Sequence, residues 1–281
     1  MHYQIRLASF NEIKLMLEWA AVEQWNPGLN DAIAFQLIDL KGFFIGYLGD
    51  EPIACISLVK YNTEFGFLGL YLVKPAYRGK GYGYQIWQHA MKYAGQCNIG
   101  LDGVTAQQSN YQKSGFKLAH KNLRYLLPSH SVRIDLPSTI KLAATLPFDE
   151  IALYDRFCFP CKRDAFLASW LVMNNATSLV YFDKVIKGYG VIRACQQGFK
   201  IGPLFADNRQ IASVLFQALC NSVEAKDQNI YLDIPEKNLE AVSLVHEFGM
   251  QPVFETARMY TKEFPAIAID KIFSITSFEM G

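Results

Sequence analysis

Runs of apolar residues with strand-like alternation, stretches with helical spacing, and turns marked by glycine or proline succeed one another along the chain. Residues 3–7 alternate as a strand does, and residues 11–22 carry apolar side chains at helical spacing, with Ser9 placed to cap them. Residues 32–40 predict a second short helix. Residues 43–48 and 53–61 predict a hairpin around Gly49-Asp50-Glu51-Pro52, followed by a buried strand at 65–73. Residues 82–94 predict a helix ending at Gly95. Residues 99–104, 109–114 and 116–126 read as strand, short helix and final strand. The pattern is mixed α/β.

It then repeats. SFNEI at 9–13 returns as PFDEI at 147–151, NDAIAF at 30–35 as RDAFLA at 163–168, and GLDGV at 100–104 as YLDIP at 231–235. Gly115 and Gly249 stand 134 residues apart, as do Arg124 and Arg258. Each match is weak, but the order is kept and the shifts agree, so the chain reads as a duplicated domain. The period is far too long for a solenoid. Prolines 128 and 137, with serines around them, mark a linker, which places one copy at 1–130 and the other at 139–281.

Composition narrows the class. Of 281 residues, 51% are hydrophobic and 19% charged, which is globular rather than disordered. The net charge of +1 lacks the basic surplus of a nucleic-acid binder. The longest apolar run, at 65–73, is too short to cross a bilayer, and the N-terminus carries no secretory pattern, so a soluble cytoplasmic protein is expected, monomer or homodimer. Six scattered cysteines read as core thiols; Cys158 and Cys161 form a C-x-x-C, but no second ligand pair accompanies it, and no metal site is expected.

One motif occurs in the first copy alone. After the strand at 65–73 comes Arg78-Gly79-Lys80-Gly81-Tyr82-Gly83, and then the helix. The first amides of a helix have no intrahelical partner, and the helix dipole adds positive potential there. Glycines let such a loop turn and approach a phosphate closely, and Arg78 and Lys80 add charge. The arrangement predicts a pyrophosphate ligand. Its spacing fits neither a P-loop nor G-x-G-x-x-G.

Val73 to Gly83, V-x-P-x-Y-R-G-K-G-x-G, resembles the acetyl-CoA signature R-x-x-G-x-G of the GCN5-related N-acetyltransferases, and NYQKSGF at 110–116 resembles that family's YEKLGF block. The second copy, with KIGPLFADN and ARMY, resembles the C-terminal half of tandem members. The resemblance implies two tandem domains, each a mostly antiparallel, splayed sheet flanked by helices. It implies acetyl-CoA as donor, pantetheine against Leu72 and Val73, and pyrophosphate on the amides of Arg78, Gly79, Lys80, Gly81, Tyr82 and Gly83. The acceptor would be an amine, a small molecule being favoured over a protein, that attacks the thioester directly. Tyr111 falls at the family's tyrosine acid, and a phenol with pKa about 10 is protonated at neutral pH. Glu64 and Asp102 are candidates for the base, although Asp102 returns as Asp233 and so reads equally as structural.

The second copy departs from this chemistry. Asp207-Asn208-Arg209-Gln210-Ile211-Ala212 replaces the glycine loop, and Val245 falls at the place of Tyr111. An asparagine common in the family seven residues before the tyrosine is Val104 in the first copy and Asn238 in the second. One donor site, in the first copy, is expected. A non-catalytic acyl-CoA-binding or regulatory module is the competing reading.

Overall fold

The computed structural model describes residues 2–128, 137–223 and 228–281. The first half runs β1 (Tyr3–Leu7), α1 (Phe10–Val22), α2 (Asp31–Phe35), β2 (Phe43–Leu48), β3 (Glu51–Lys60), β4 (Phe65–Val73), α3 (Tyr82–Ala94), β5 (Asn98–Val104), α4 (Gln108–Lys113) and β6 (Lys117–Leu127). The second repeats that order as β7 (Ile140–Leu142), α5 (Phe148–Cys158), α6 (Asp164–Leu171), β8 (Ala176–Asp183), β9 (Val185–Ala194), β10 (Phe199–Ala206), α7 (Arg209–Asn221), β11 (Ile230–Pro235), α8 (Leu239–Glu247) and β12 (Gln251–Tyr260), and adds β13 (Ile272–Ser274). The expected linker falls largely outside the described residues.

Local chemistry explains most boundaries. At α1, Glu12 reaches back to accept from the Ser9 amide at 2.7 Å, half of a capping box. The β2–β3 hairpin turns through Gly49 at φ +63°. α3 buries Ile86, Trp87, Ala90 and Ala94 on one face against the sheet and stops at Gly95, φ +61°. The second helix is shorter than expected, ending at Phe35 rather than near Leu40. Asp39 is the reason: its carboxylate accepts from the Lys41 and Lys60 amides and the Tyr93 hydroxyl, fastening the chain into turns instead of a further helical turn.

Among the described residues all thirteen strands join one sheet, in the order β1-β2-β3-β4-β5-β12-β6-β11-β10-β9-β8-β7, with β13 on β10. The halves exchange their last long strands. β6 lies between β12 and β11, and β12 lies between β5 and β6. Two ion pairs cross the exchange in matching positions. Arg124 of β6 binds Asp233 of β11 at 2.6 and 2.8 Å, and Arg258 of β12 binds Asp102 of β5 at 2.7 and 2.6 Å. Both pairs are buried. Each half therefore contributes a strand to the other's part of the sheet. Among the described residues no helix is long and apolar enough to cross a membrane.

Candidate active site

β4 and β5 run parallel and pair only from Phe65↔Asn98 to Leu68↔Leu101. Beyond that point each keeps its outer partner, β4 to β3 as far as Val73 and β5 to β12 as far as Val104, while the inner edges separate. At the mouth of the gap Leu70 takes φ +46°, and the β3–β4 register slips between Cys55 and Ser57. A leucine in the left-handed region is strained by about 1–3 kcal/mol, and the bulge turns the β4 edge out of the ladder. The gap opens into a cavity of about 540 Å³. Leu72 and Val73 form one side of it.

The glycine loop closes one end. Gly79 and Gly81 have φ +74° and +84° with open space where a Cβ would stand, so they are glycines for conformation. Gly83 is a glycine for contact: a Cβ there would meet the Tyr71 hydroxyl at 2.9 Å and Val73 at 3.1 Å. Gly81 is the N-cap of α3, so the unpaired amides of that helix begin at the cavity. Arg78, Gly79, Gly81 and Gly83 wall the cavity. The side chains of Lys80 and Tyr82 do not: Lys80 lies 5.5 Å from the Tyr77 ring and Tyr82 packs on Tyr3. Arg78 donates to the Val73 carbonyl at 2.8 Å and pairs with Glu23 at the end of α1, a residue sequence reasoning missed. A second cleft of about 950 Å³, between α3 and α4, shares Tyr71, Tyr84, Gln107 and Tyr111 with the first.

Tyr111 stands where the two spaces meet. α4 carries it, its ring stacks on Trp87 with centroids 5.7 Å apart, and Gly103 makes room for it: a Cβ there would lie 2.2 Å from the ring. Burial pushes the phenol up to about 12, with Tyr71 adding to the shift, so it holds its proton through the neutral range.

The base candidates fare differently. Glu64 is exposed at the opposite end of β4, where its carbonyl accepts from the Asn98 amide, and it lies outside the cavity wall. The structure does not bring it to Tyr111. Asp102 does border the cavity, but its oxygens accept from Arg258 and from Asn122 at 2.8 Å, and its side chain is wholly buried. Burial is the larger influence and leaves its carboxyl above the usual range despite the pull of Arg258 and Asn122, while Arg258 is held well above the usual guanidinium range. Asp102 is a strut of the exchanged sheet, the mirror of Asp233, rather than a free base. Trp25 and Tyr71 line the cavity, while Phe35 is core, stacked on Trp170. The remaining walls come from the second half: Phe254 and Thr256 of β12, and Phe278 and Glu279 beyond β13. Sequence reasoning singled out none of these four residues.

The second half closes its own gap. β10 pairs with β11 only from Phe199 to Ile201 and then parts from it, as β4 does from β5. β13 fills the opening: Leu204 pairs with Ser274, Phe205 pairs with Ile272, the Ile275 amide donates to the Asp233 carbonyl, and the Ser274 hydroxyl donates to the Ile201 carbonyl. Asn238 holds the plug, donating to the Asp270 and Ile272 carbonyls while its oxygen caps α8. At the position of the glycine loop, Asn208 caps α7 with its own side chain, and Asp207 is bound by Lys271 and Tyr154. Val245 is core.

A sheet split beside a glycine loop at a helix N-terminus, with a buried phenol in the wall of the split, defines a class: acyltransferases that draw on an acyl-CoA. Residues 8–116 match the acetyltransferase (GNAT) family and residues 151–274 the acetyltransferase (GNAT) domain. The holothin acyltransferase of Pseudoalteromonas sp. (strain SANK 73390) is 33% identical over 276 residues, 98% of this chain and 93% of that one. The chain belongs to the GCN5-related N-acetyltransferase superfamily as a tandem two-domain member, and it is an N-acyltransferase. Its fold is shared with a putative acetyltransferase from Pyrococcus horikoshii (TM-score 0.83, 21% identity, 99% and 96% of the two chains). It is also shared with a tandem GNAT protein from the clavulanic acid biosynthesis pathway (TM-score 0.65, 12% identity, 92% and 98%).

Proposed function

We propose that the enzyme transfers an acetyl group from acetyl-CoA to the amine of a small molecule, using one donor site, in the first half. The observation that carries this reading is the gap between β4 and β5 with Tyr111 in its wall and the glycine loop at its end. In that reading the inner edge of β4 at Leu72 and Val73 takes the pantetheine amides, and the amides of residues 78–83 take the pyrophosphate. Arg78, now bound to Glu23 and the Val73 carbonyl, would turn to the phosphates. The amine attacks the thioester carbonyl, the tetrahedral adduct collapses, and the departing thiolate takes the Tyr111 proton. The cavity lies between structured walls from both halves, which suits a small acceptor better than a protein side chain. The holothin-acylating relative, similar over nearly its whole length, makes holothin the first acceptor to assay.

Calorimetric titration with acetyl-CoA tests the donor assignment. One site per chain is expected, lost in an Arg78→Ala/Gly81→Asp variant because the aspartate adds a Cβ at φ +84° and a negative charge beside the phosphates. Two sites, or binding that survives the double substitution, would overturn it. Release of free thiol on mixing with acetyl-CoA and holothin, or with primary amines, then tests the acceptor.

A further inference from the structure

After β13 the chain does not leave the sheet. It passes the bulges of both halves in turn. At Gly202, in the second half, a Cβ would lie 2.5 and 2.7 Å from the Thr276 and Ile275 carbonyl oxygens. At Gly69, beside the Leu70 bulge of the first half, a Cβ would lie 2.3 Å from the Glu279 carbonyl oxygen and 2.9 Å from its Cα. The last residues form a tight turn, with the Gly281 amide on the Ser277 carbonyl, and the Tyr61 hydroxyl donates to the Met280 carbonyl at 2.7 Å. One segment thus plugs the second gap and walls the first, laying Glu279 against the bulge at the mouth of the β4–β5 gap.

Glu279 is an unusual carboxylate to find there. Its residue is 2% exposed and borders the cavity, both of its carboxylate oxygens are buried, and neither has a hydrogen-bond partner among the described residues. A buried, unpaired carboxylate is costly unless something completes it. Four charged groups face it from the surrounding elements, and each is engaged elsewhere. Arg124 of β6 holds Asp233 and the Trp25 carbonyl, Lys200 of β10 holds the Asn26 carbonyl at 2.8 Å, and Arg193 of β9 holds Asp31 of α2. Burial, with Asp31 adding to it, pushes the Glu279 carboxyl above its usual range against the opposing pull of Lys200 and Arg124. A carboxyl so placed is a better proton acceptor than one in water. Trp25 and Phe278 supply apolar walls beside it.

We propose that the Glu279 side chain turns into the gap to receive the acceptor's amino group and acts as its base. The proposal rests on the amine reading above. The acceptor arrives as an ammonium, and Glu279 takes one of its protons. The freed nitrogen lone pair forms the N–C bond at the thioester carbonyl, and the adduct's nitrogen loses its second proton. The C–S bond then breaks, with its electron pair going to sulfur, and Tyr111 protonates the thiolate. The proton shed by the adduct restores Tyr111, and the proton on Glu279 leaves to solvent, so one proton is released per turnover. Glu279 thus fills the place left by Glu64 and Asp102.

The test compares the full-length chain with Glu279→Gln, which keeps the shape and removes the charge. Nucleophiles are holothin and primary alkylamines, with hydroxylamine, uncharged near pH 7, as control. Glu279→Gln is expected to lose about 100-fold or more in kcat/KM with alkylamines, to recover as the pH rises toward the amine's own pKa, and to keep its rate with hydroxylamine. Acetyl-CoA affinity stays unchanged, and the melting temperature holds or rises, because an unpaired buried charge has been removed. Equal loss with both nucleophiles, a variant as fast as wild type, or a lowered melting temperature would each overturn the assignment; the last would make Glu279 a structural partner of Lys200 and Arg124. A wild-type enzyme that binds acetyl-CoA yet turns over no amine would overturn the amine reading itself, and the role of Glu279 with it.

Discussion

Tyr111 and Glu279 are both buried, and burial pushes both above their usual range, which keeps the phenol protonated and makes the carboxyl a better proton acceptor. The phenol sits in an aromatic wall with Trp87 and Tyr71, where burial keeps it protonated. It can give a proton to a thiolate at any physiological pH, and it should impose no alkaline limb on the rate until far above neutrality. Tyr111→Phe keeps the ring and its stacking while removing that proton. A loss of 10²–10⁴ in kcat is expected, with acetyl-CoA affinity retained in a parallel titration. A variant that loses affinity in proportion to rate would make Tyr111 a donor contact and nothing more. Asp102 shows how residue identity alone misleads. A carboxylate beside the cavity reads as a base until its bidentate bond to Arg258 appears, and its retention as Asp233 in the second copy reflects that structural duty.

At the scale of elements, the same parting of strands occurs twice and is used in two ways. Between β4 and β5 it is left open; between β10 and β11 it is filled by β13. Asn238 is the fastening, since it caps α8 with its oxygen and grips the start of β13 with its nitrogen. Asn238→Ala removes both, so a loss of about 1–2 kcal/mol from the cap is expected in urea denaturation, with more from the freed strand. Acetyl-CoA stoichiometry stays at one site, because α7 begins on the Asn208 side chain and has no glycine loop. A second site appearing in that variant would show that the plug alone kept the second half silent. Most elements were legible because their signals are local: alternation in β1, the turn residues between β2 and β3, the helical face and terminal glycine of α3, and the glycine loop before it. β13 was not legible, because its three residues stand in a strand only by virtue of an edge that β10 offers from far away in sequence. Asn238 was visible as an oddity, but its partners lie more than thirty residues downstream.

For the whole molecule, the exchange of β6 and β12 decides what can exist alone. Register across a sheet is a long-range property, and a duplicated pattern is equally consistent with each copy keeping its own last strand. The duplication was therefore readable in sequence, while the exchange was not. Its consequences for the site are direct. β12 lines the outer edge of β5 and brings Phe254 and Thr256 to the cavity, and residues 278–279 supply the far wall. Residues 1–128 expressed alone would leave the edge of β5 without β12, β6 without β11, and Arg124 without Asp233, the last being a buried cation stripped of its partner, a change worth about 3–5 kcal/mol. Such a fragment should fail to bind acetyl-CoA as a monomer and should associate, since the open edges of β5 and β6 can pair with those of a second copy much as the two halves pair in the intact chain. Residues 1–128 and 137–281 co-expressed as separate chains should instead assemble one to one and regain the single acetyl-CoA site. Light scattering coupled to size exclusion, followed by titration of the isolated species, checks both. A monomeric first half that binds acetyl-CoA with the affinity of the intact chain would mean that the exchanged strand is dispensable for the donor site, and that the second half serves the acceptor alone.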